Sequence, residues 1–209
     1  MKAFGKSSVM VVEDDPSMRT ALRNLLRSVG IDPQLFASAQ EYLNAKKPDV
    51  PACLILDVRL PGMSGLDLQK EMKASGDDIP VIFISAHGDI PMSVHAMKAG
   101  AVDFLTKPFR DQDLLDAIHT SLSRDVVRRE KESACADLRE RLQSLTARER
   151  ELLPLIVSGR SNKEVAAKIG TSEITVKVHR GNVMRKMRAD SFADLLRMAA
   201  QLEIPYTKV

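Results

Sequence analysis

The sequence predicts an α/β doubly wound domain on a five-stranded parallel sheet, plus a small all-α helix-turn-helix domain joined to it by a helical linker. Three observations lead there. Residues 1 to 123 alternate short apolar runs with segments of helical periodicity, the stretch that follows is charged and free of glycine and proline, and the remainder reads as short helices only.

The strands are the apolar runs. Val9 to Val12, Cys53 to Leu56 and Val81 to Ile84 are continuously apolar, as strands covered by helices on both faces of a parallel sheet must be. Ile31 to Phe36 and Ala101 to Leu105 are weaker runs that bring the strands to five. Met18, Ala21, Leu22, Leu25, Leu26 and Val29 recur at helical spacing after the first strand, and Leu114, Leu115, Ile118 and Leu122 do so after the last. Five strands alternating with five helices imply a doubly wound fold.

From Ser123 to Ser144 the chain reads as a solvated helix with one apolar seam. Cys135, Leu138, Leu142 and Leu145 are spaced three, four and three apart, a short heptad pattern that either meets another helix or stands without a partner. Beyond it, Thr146 with Glu149, Ser161 with Glu164 and Ser191 with Asp194 each set a hydroxyl N-cap three residues before an acid. Gly159 and Gly170 supply helix stops. Asn162 to Ile169, the connection Gly170-Thr171-Ser172 and a helix from Glu173 have the dimensions of a helix-turn-helix. The expected division is therefore a first domain over 1–123, a helical linker over 124–143 and an all-α helix-turn-helix domain over 144–209.

Composition narrows the function classes. The chain has 209 residues, 44% hydrophobic and 28% charged, which suits two globular domains of about 100 residues each. There is no run of about 18 apolar residues, and Met1 to Ser8 lacks an apolar core, so neither a membrane span nor a leader is expected and the chain is placed in the cytoplasm. Cys53 and Cys135 stand apart, without a CxxC or Cys/His cluster, and are expected as free thiols. Charge is uneven: residues 1–123 carry 13 Lys and Arg against 16 Asp and Glu, while 124–209 carry 18 against 12. A C-terminal half with net charge +6 points to a polyanionic partner.

In an open parallel sheet, ligands bind beyond the carboxyl ends of the strands. Here the first strand ends in Glu13-Asp14-Asp15, the third in Asp57 and the fourth in Ser85, and Lys107-Pro108 follows the fifth. Carboxylates, a hydroxyl and an amine thus converge on one edge. A hard cation such as Mg²⁺ takes oxygen ligands, and a carboxylate beside it can accept a phosphoryl group. Asp15, directly before Pro16, is read as a helix cap, and His87, with no second His or Cys near it, is assigned no chemistry.

VVEDD, LILDVRLPGMSG, ISAHGD and FLTKPF, in that order and spacing, resemble the receiver domain of bacterial response regulators over about residues 7 to 123. The resemblance implies that Asp57 is the phosphoacceptor. It implies that Asp14, Asp57 and the backbone carbonyl of Arg59 ligate Mg²⁺ or Mn²⁺, with Glu13 holding an ion-bound water. Lys107 would pair with the phosphoryl oxygens, while Ser85 and Phe104 would move inward as the switch. The sequence departs from the commonest pattern in having Glu13 for Asp, Ser85 for Thr and Phe104 for Tyr, which removes an aromatic hydroxyl from the switch. A dehalogenase-like phosphatase or mutase would carry a second Asp two residues after Asp57, where Arg59 stands. A nucleotide-binding enzyme would need a glycine-rich phosphate loop, and neither GxGxxG nor GxxxxGK occurs.

LTARERELLPLIVSGRSNKEVAAKIGTSEITVKVHRGNVMRKM resembles the LuxR-type helix-turn-helix, over about residues 144 to 203, and the whole chain resembles the FixJ subfamily of response regulators. On a helix from Glu173, Val176, Val183 and Met187 share an inward face, while Lys177, Val178, Gly181 and Arg185 share another. Basic groups beside small or apolar ones suit entry into a major groove. By resemblance Lys177 and Val178 approach base edges. Ser161, Asn162, Lys163, Thr175, Arg180 and Lys186 lie near helix starts or basic edges and are candidates for phosphate contact. Gly181 in mid-helix costs about 1 kcal/mol against alanine, and reflects either close backbone approach to DNA or tolerance at a surface position. His179, one step from the inward face, is read as a packing residue.

These readings imply a transcription regulator whose own chemistry is confined to its phosphorylation and dephosphorylation. The implied partners are a sensor histidine kinase, double-stranded promoter DNA, RNA polymerase under activation, and a second copy of the chain once phosphorylated. No membrane is involved. The dimer is placed on the face of the fourth helix, fifth strand and fifth helix, with the linker seam as the alternative. A regulator acting by protein contacts alone, or on RNA, would share the first domain but have no need of the helix-turn-helix.

Overall fold

The structure is a computed structural model that describes residues 7–86 and 90–205, so His87 lies outside the described residues. The chain divides into two compact units, Met1–Arg129 and Glu130–Val209.

In the first unit, β1 (Ser8–Val12), β2 (Gln34–Phe36), β3 (Ala52–Asp57), β4 (Val81–Ser85) and β5 (Asp103–Thr106) form one sheet in the order β2-β1-β3-β4-β5. All neighbours are parallel. The intervening helices are α1 (Pro16–Ser28), α2 (Ala39–Asn44), α3 (Gly65–Ala74) and α4 (Ile90–Lys98), and α5 (Asp111–Gln143) follows the last strand. Side chains alternate across each central strand. Met10, Leu54, Leu56 and Phe83 point to one layer with Tyr42, Leu68 and Met72, and Val9, Val11, Ile55 and Ile84 to the other with Leu22, Leu26, Leu114 and Ile118. All six residues of β3 are buried, so the central strand needs its unbroken apolar run.

The two weaker runs become shorter strands than the sequence suggests, and for one reason. Gly30 and Gly100 take left-handed backbone at helix ends, with φ of 84° and 92°. The residues after them turn back: the Ile31 amide donates to the Leu26 carbonyl and Ala101 to that of Ala96. The first residues of each run are spent closing a helix, and pairing starts only at Gln34 and Asp103.

Helix starts follow the side-chain caps. Asp15 accepts from the amides of Ser17 and Met18, with Pro16 at the first helical position. In the second unit, α6 (Ala147–Val157) and α7 (Asn162–Ile169) both open with reciprocal capping boxes, Thr146 with Glu149 and Ser161 with Glu164. Ser172 caps α8 (Glu173–Met187) and Ser191 caps α9 (Phe192–Gln201). Gly170 ends α7 at φ 68°, so α7, three connecting residues and α8 make the helix-turn-helix. Leu152, Ile156, Val165, Val176, Val183, Met187 and Leu195 form this unit's core.

α5 runs without interruption for 33 residues. The heptad seam that runs along its C-terminal part and just past it is used largely within the helical unit: Leu145, two residues beyond α5, belongs to that unit's core and Leu142 packs against it, while Leu138 is buried. The spacing that suggests a helix–helix seam is satisfied there by intramolecular packing, which a period read from sequence cannot distinguish from packing against a partner.

Candidate functional site

Strand register builds the acidic edge. Val12 pairs with Leu56, Asp57 with Ile84, and Ser85 with Thr106, so the residues that end these strands come level with one another. Glu13 and Asp57 lie on either side of the point where strand order reverses, the position at which doubly wound sheets bind ligands. Glu13, Asp14 and Asp57 each offer a carboxylate oxygen, and these atoms all lie within 4.8 Å of one another. Lys107 reaches across: its Nζ lies 2.6 Å from Glu13 Oε2 and 2.6 Å from Asp57 Oδ2. The other Asp57 oxygen accepts from the Arg59 amide at 2.9 Å, which holds the Arg59 backbone against the acid.

Two of the three carboxylates, Glu13 and Asp57, share one ammonium, and the electrostatics follow. Burial pushes the Glu13 carboxyl up; the Asp57 charge adds to this and the Lys107 hydrogen bond opposes it. Burial disfavours the charged form of Lys107, but its bonds to Asp57 and Glu13 outweigh that and hold it above the ordinary lysine value. The uncompensated negative charge on a set of hard oxygen donors fits a divalent cation. Ser85 is fully buried, and its carbonyl accepts from the Lys107 amide at 2.8 Å, so the two strand ends are joined beside the acid. Phe104 is half-buried against the core, its ring 6.3 Å from that of Phe83.

The second unit presents α8. Val176, Val183 and Met187 are fully buried, while Lys177, Val178, Gly181 and Arg185 are exposed, as is Lys163 on α7. Thr175 is bonded to its cap, with the two hydroxyl oxygens of Ser172 and Thr175 2.8 Å apart. Arg180 donates to Asn162 Oδ1 at 2.9 Å and to the Arg160 carbonyl at 3.0 Å, tying the two helices of the motif together. Lys186 is engaged 2.6 Å from the buried Glu149, a partner 37 positions away that the sequence does not disclose. A Cβ on Gly181 would meet nothing within 4 Å, so no packing among the described residues requires glycine there.

Residues 9–119 match the family model for the response regulator receiver domain, and residues 143–199 match that for bacterial regulatory proteins of the luxR family. The chain belongs to the LuxR-type response regulators. Similar proteins include Nodulation protein W of Bradyrhizobium diazoefficiens, 55% identical over 97% of this chain and 89% of that one. Among solved structures, response regulator StyR matches with 47% identity and a TM-score of 0.81, over 94% of this chain and 99% of that one. Full-length FixJ from B. japonicum matches with 38% identity and a TM-score of 0.57, over 96% and 98%.

This response regulator also relies on residues that sequence reasoning passes over. A Cβ on Gly65 would sit 2.2 Å from the Asp57 carbonyl oxygen, so the start of α3 abuts the backbone of the acid itself. Arg19 donates from Nη1 to the carbonyls of Glu13 and Asp14 at 2.6 and 2.7 Å, fixing the loop that carries two of the acids. Neither carries a local signal, because each acts on a backbone carbonyl, which residue type and spacing do not report. Ile174 on α8 is 78% exposed, an unusual position for isoleucine.

Proposed function

We propose that a sensor histidine kinase phosphorylates this LuxR-type transcriptional response regulator on Asp57 in a Mg²⁺-dependent step, and that it then dimerises, binds promoter DNA in the cytoplasm and activates transcription by RNA polymerase. The observation that carries this reading is the convergence of Glu13, Asp14 and Asp57 with Lys107 on one sheet edge, in a chain whose other unit is a helix-turn-helix.

An Asp57 carboxylate oxygen attacks the phosphorus of a phosphohistidine, forming the O–P bond as the P–N bond breaks and the imidazole leaves with its electron pair. Asp14, Asp57 and the Arg59 carbonyl would hold the ion, with Glu13 reaching it through water; the ion's contribution is to neutralise and orient the phosphoryl oxygens. Lys107, already 2.6 Å from Asp57, keeps one positive charge at the acceptor. The phosphoryl group adds about −1.5 to −2 charge and draws Lys107 and the Ser85 hydroxyl toward it. Because the Lys107 amide is bonded to the Ser85 carbonyl, both strand ends respond together, and Phe104 follows. We divide the chain into receiver 1–123, linker 124–143 and DNA-binding domain 144–209. Lys177, Val178, Gly181 and Arg185 face the groove, and Asn162, Lys163, Thr175, Arg180 and Lys186 serve the phosphates, Arg180, Asn162 and Lys186 after exchanging their present partners.

The test is retention of fragmented genomic DNA from the protein's own source, with and without beryllofluoride and Mg²⁺, with Asp57→Asn alongside. Enrichment of imperfect palindromes that needs both beryllofluoride and Asp57 is the expected result. Retention of nothing in any condition would leave regulation by protein contacts as the better reading.

A further inference from the structure

We propose that Ile174 and Val178 read thymine 5-methyl groups about two base steps apart in each operator half-site. The proposal rests on the promoter-binding reading above and adds the chemistry of recognition. Ile174 is 78% and Val178 58% exposed, the least covered large apolar side chains among the described residues of the helical unit. Single exposed apolar residues are ordinary, but these two lie one helical turn apart.

They belong to one stripe. Ile174, Val178, Gly181 and Arg185 follow at intervals of four, three and four, directly opposite the buried Val176, Val183 and Met187, with Lys177 at the stripe's border. Gly181 leaves the middle of the stripe open, since a Cβ there would meet nothing within 4 Å among the described residues. Cations along an apolar track are what a polyanion with apolar spots on its surface complements. Duplex DNA has one such spot in its major groove, the thymine methyl; adenine, guanine and cytosine present only donors and acceptors there.

The geometry agrees. Four residues of helix rise about 6 Å and two base steps about 6.8 Å, so neighbouring side chains of the stripe match bases two steps apart. Isoleucine and valine are β-branched and held close to one χ1 in a helix, so little rotamer freedom is lost when they meet a methyl. Removing either side chain leaves the core untouched, which makes the substitution clean.

The experiment takes the operator recovered by DNA retention and replaces its thymines one at a time with deoxyuridine, which deletes the methyl and nothing else. Affinity of the full-length, beryllofluoride-treated protein is measured for wild type, Ile174→Ala and Val178→Ala. At two thymines of a half-site, loss of the methyl weakens wild-type binding about four-fold. One of these penalties vanishes in Ile174→Ala and the other in Val178→Ala. The proposal is overturned if no thymine shows the penalty, or if the penalties persist undiminished in both variants; either leaves promoter binding intact and assigns the apolar stripe to a protein contact. Absence of duplex binding by wild type overturns the promoter-binding reading, and this one with it.

Discussion

At the residue scale, the acidic site was legible because strand ends announce themselves. Glu13, Asp14, Asp57, Ser85 and Lys107 each terminate or follow an apolar run, and the register brings the strand ends level. What was not legible is the support beneath them. Gly65 opens α3 and carries no sequence signal of this role, yet a methyl there would be driven into the Asp57 carbonyl at 2.2 Å, and that carbonyl cannot retreat because β3 is buried along its whole length. Gly65→Ala should therefore lose about 2 kcal/mol of stability by overpacking and slow the phosphorylation of Asp57 by acetyl phosphate. Urea denaturation and a phosphorylation time course measure the two effects. An unchanged midpoint with an unchanged rate would mean that α3 can shift without disturbing the acid.

At the element scale, the continuity of α5 shows where sequence reading runs out. Its middle, RDVVRREKE, has the composition of a solvated helix, but Asp125 within it is completely buried. Its carboxylate accepts from the Ala52 amide at 2.8 Å, from Arg128 Nη2 at 2.6 Å and from Arg129 Nε at 2.8 Å, and Arg129 donates onward to the Pro48 carbonyl at 2.9 Å. One acid thus fastens the helix to the start of the strand that ends in Asp57. Two arginines and a strand amide have no common acceptor without it, so Asp125→Ala should cost about 3 kcal/mol. Amide exchange should accelerate through the middle turns of α5 and at the start of β3. Exchange that stays slow there would show that the surrounding apolar contacts suffice to hold the helix. The same lesson applies to Glu149, which reads as a helix-cap acid and proves also to be the buried partner of Lys186. Periodicity reports which face of a helix is apolar, but not which of its charges is taken inside.

At the scale of the whole molecule, the acidic first half and basic second half were visible in composition, and both family matches agree with the two-part reading. The dimer that the proposed function needs has two candidate surfaces, and the structure weighs them unequally. The linker seam is largely occupied, since Leu138 is buried and Leu142 and Leu145 pack with the chain's own helical core. On α4, by contrast, Ile90, Val94 and Met97 are 79%, 44% and 44% exposed and recur at intervals of four and three, one apolar stripe beside the strand that carries Phe104. A two-fold interface brings the same patch from each copy together, so one substitution acts twice. Val94→Asp places two carboxylates in an apolar contact and should abolish the beryllofluoride-induced dimer in sedimentation, while acetyl phosphate still labels Asp57. Because a monomer engages one half-site where a dimer engages two, affinity for the full palindrome should fall about a hundred-fold with affinity for a single half-site unchanged. A Val94→Asp protein that still dimerises and holds the palindrome would move the interface off α4.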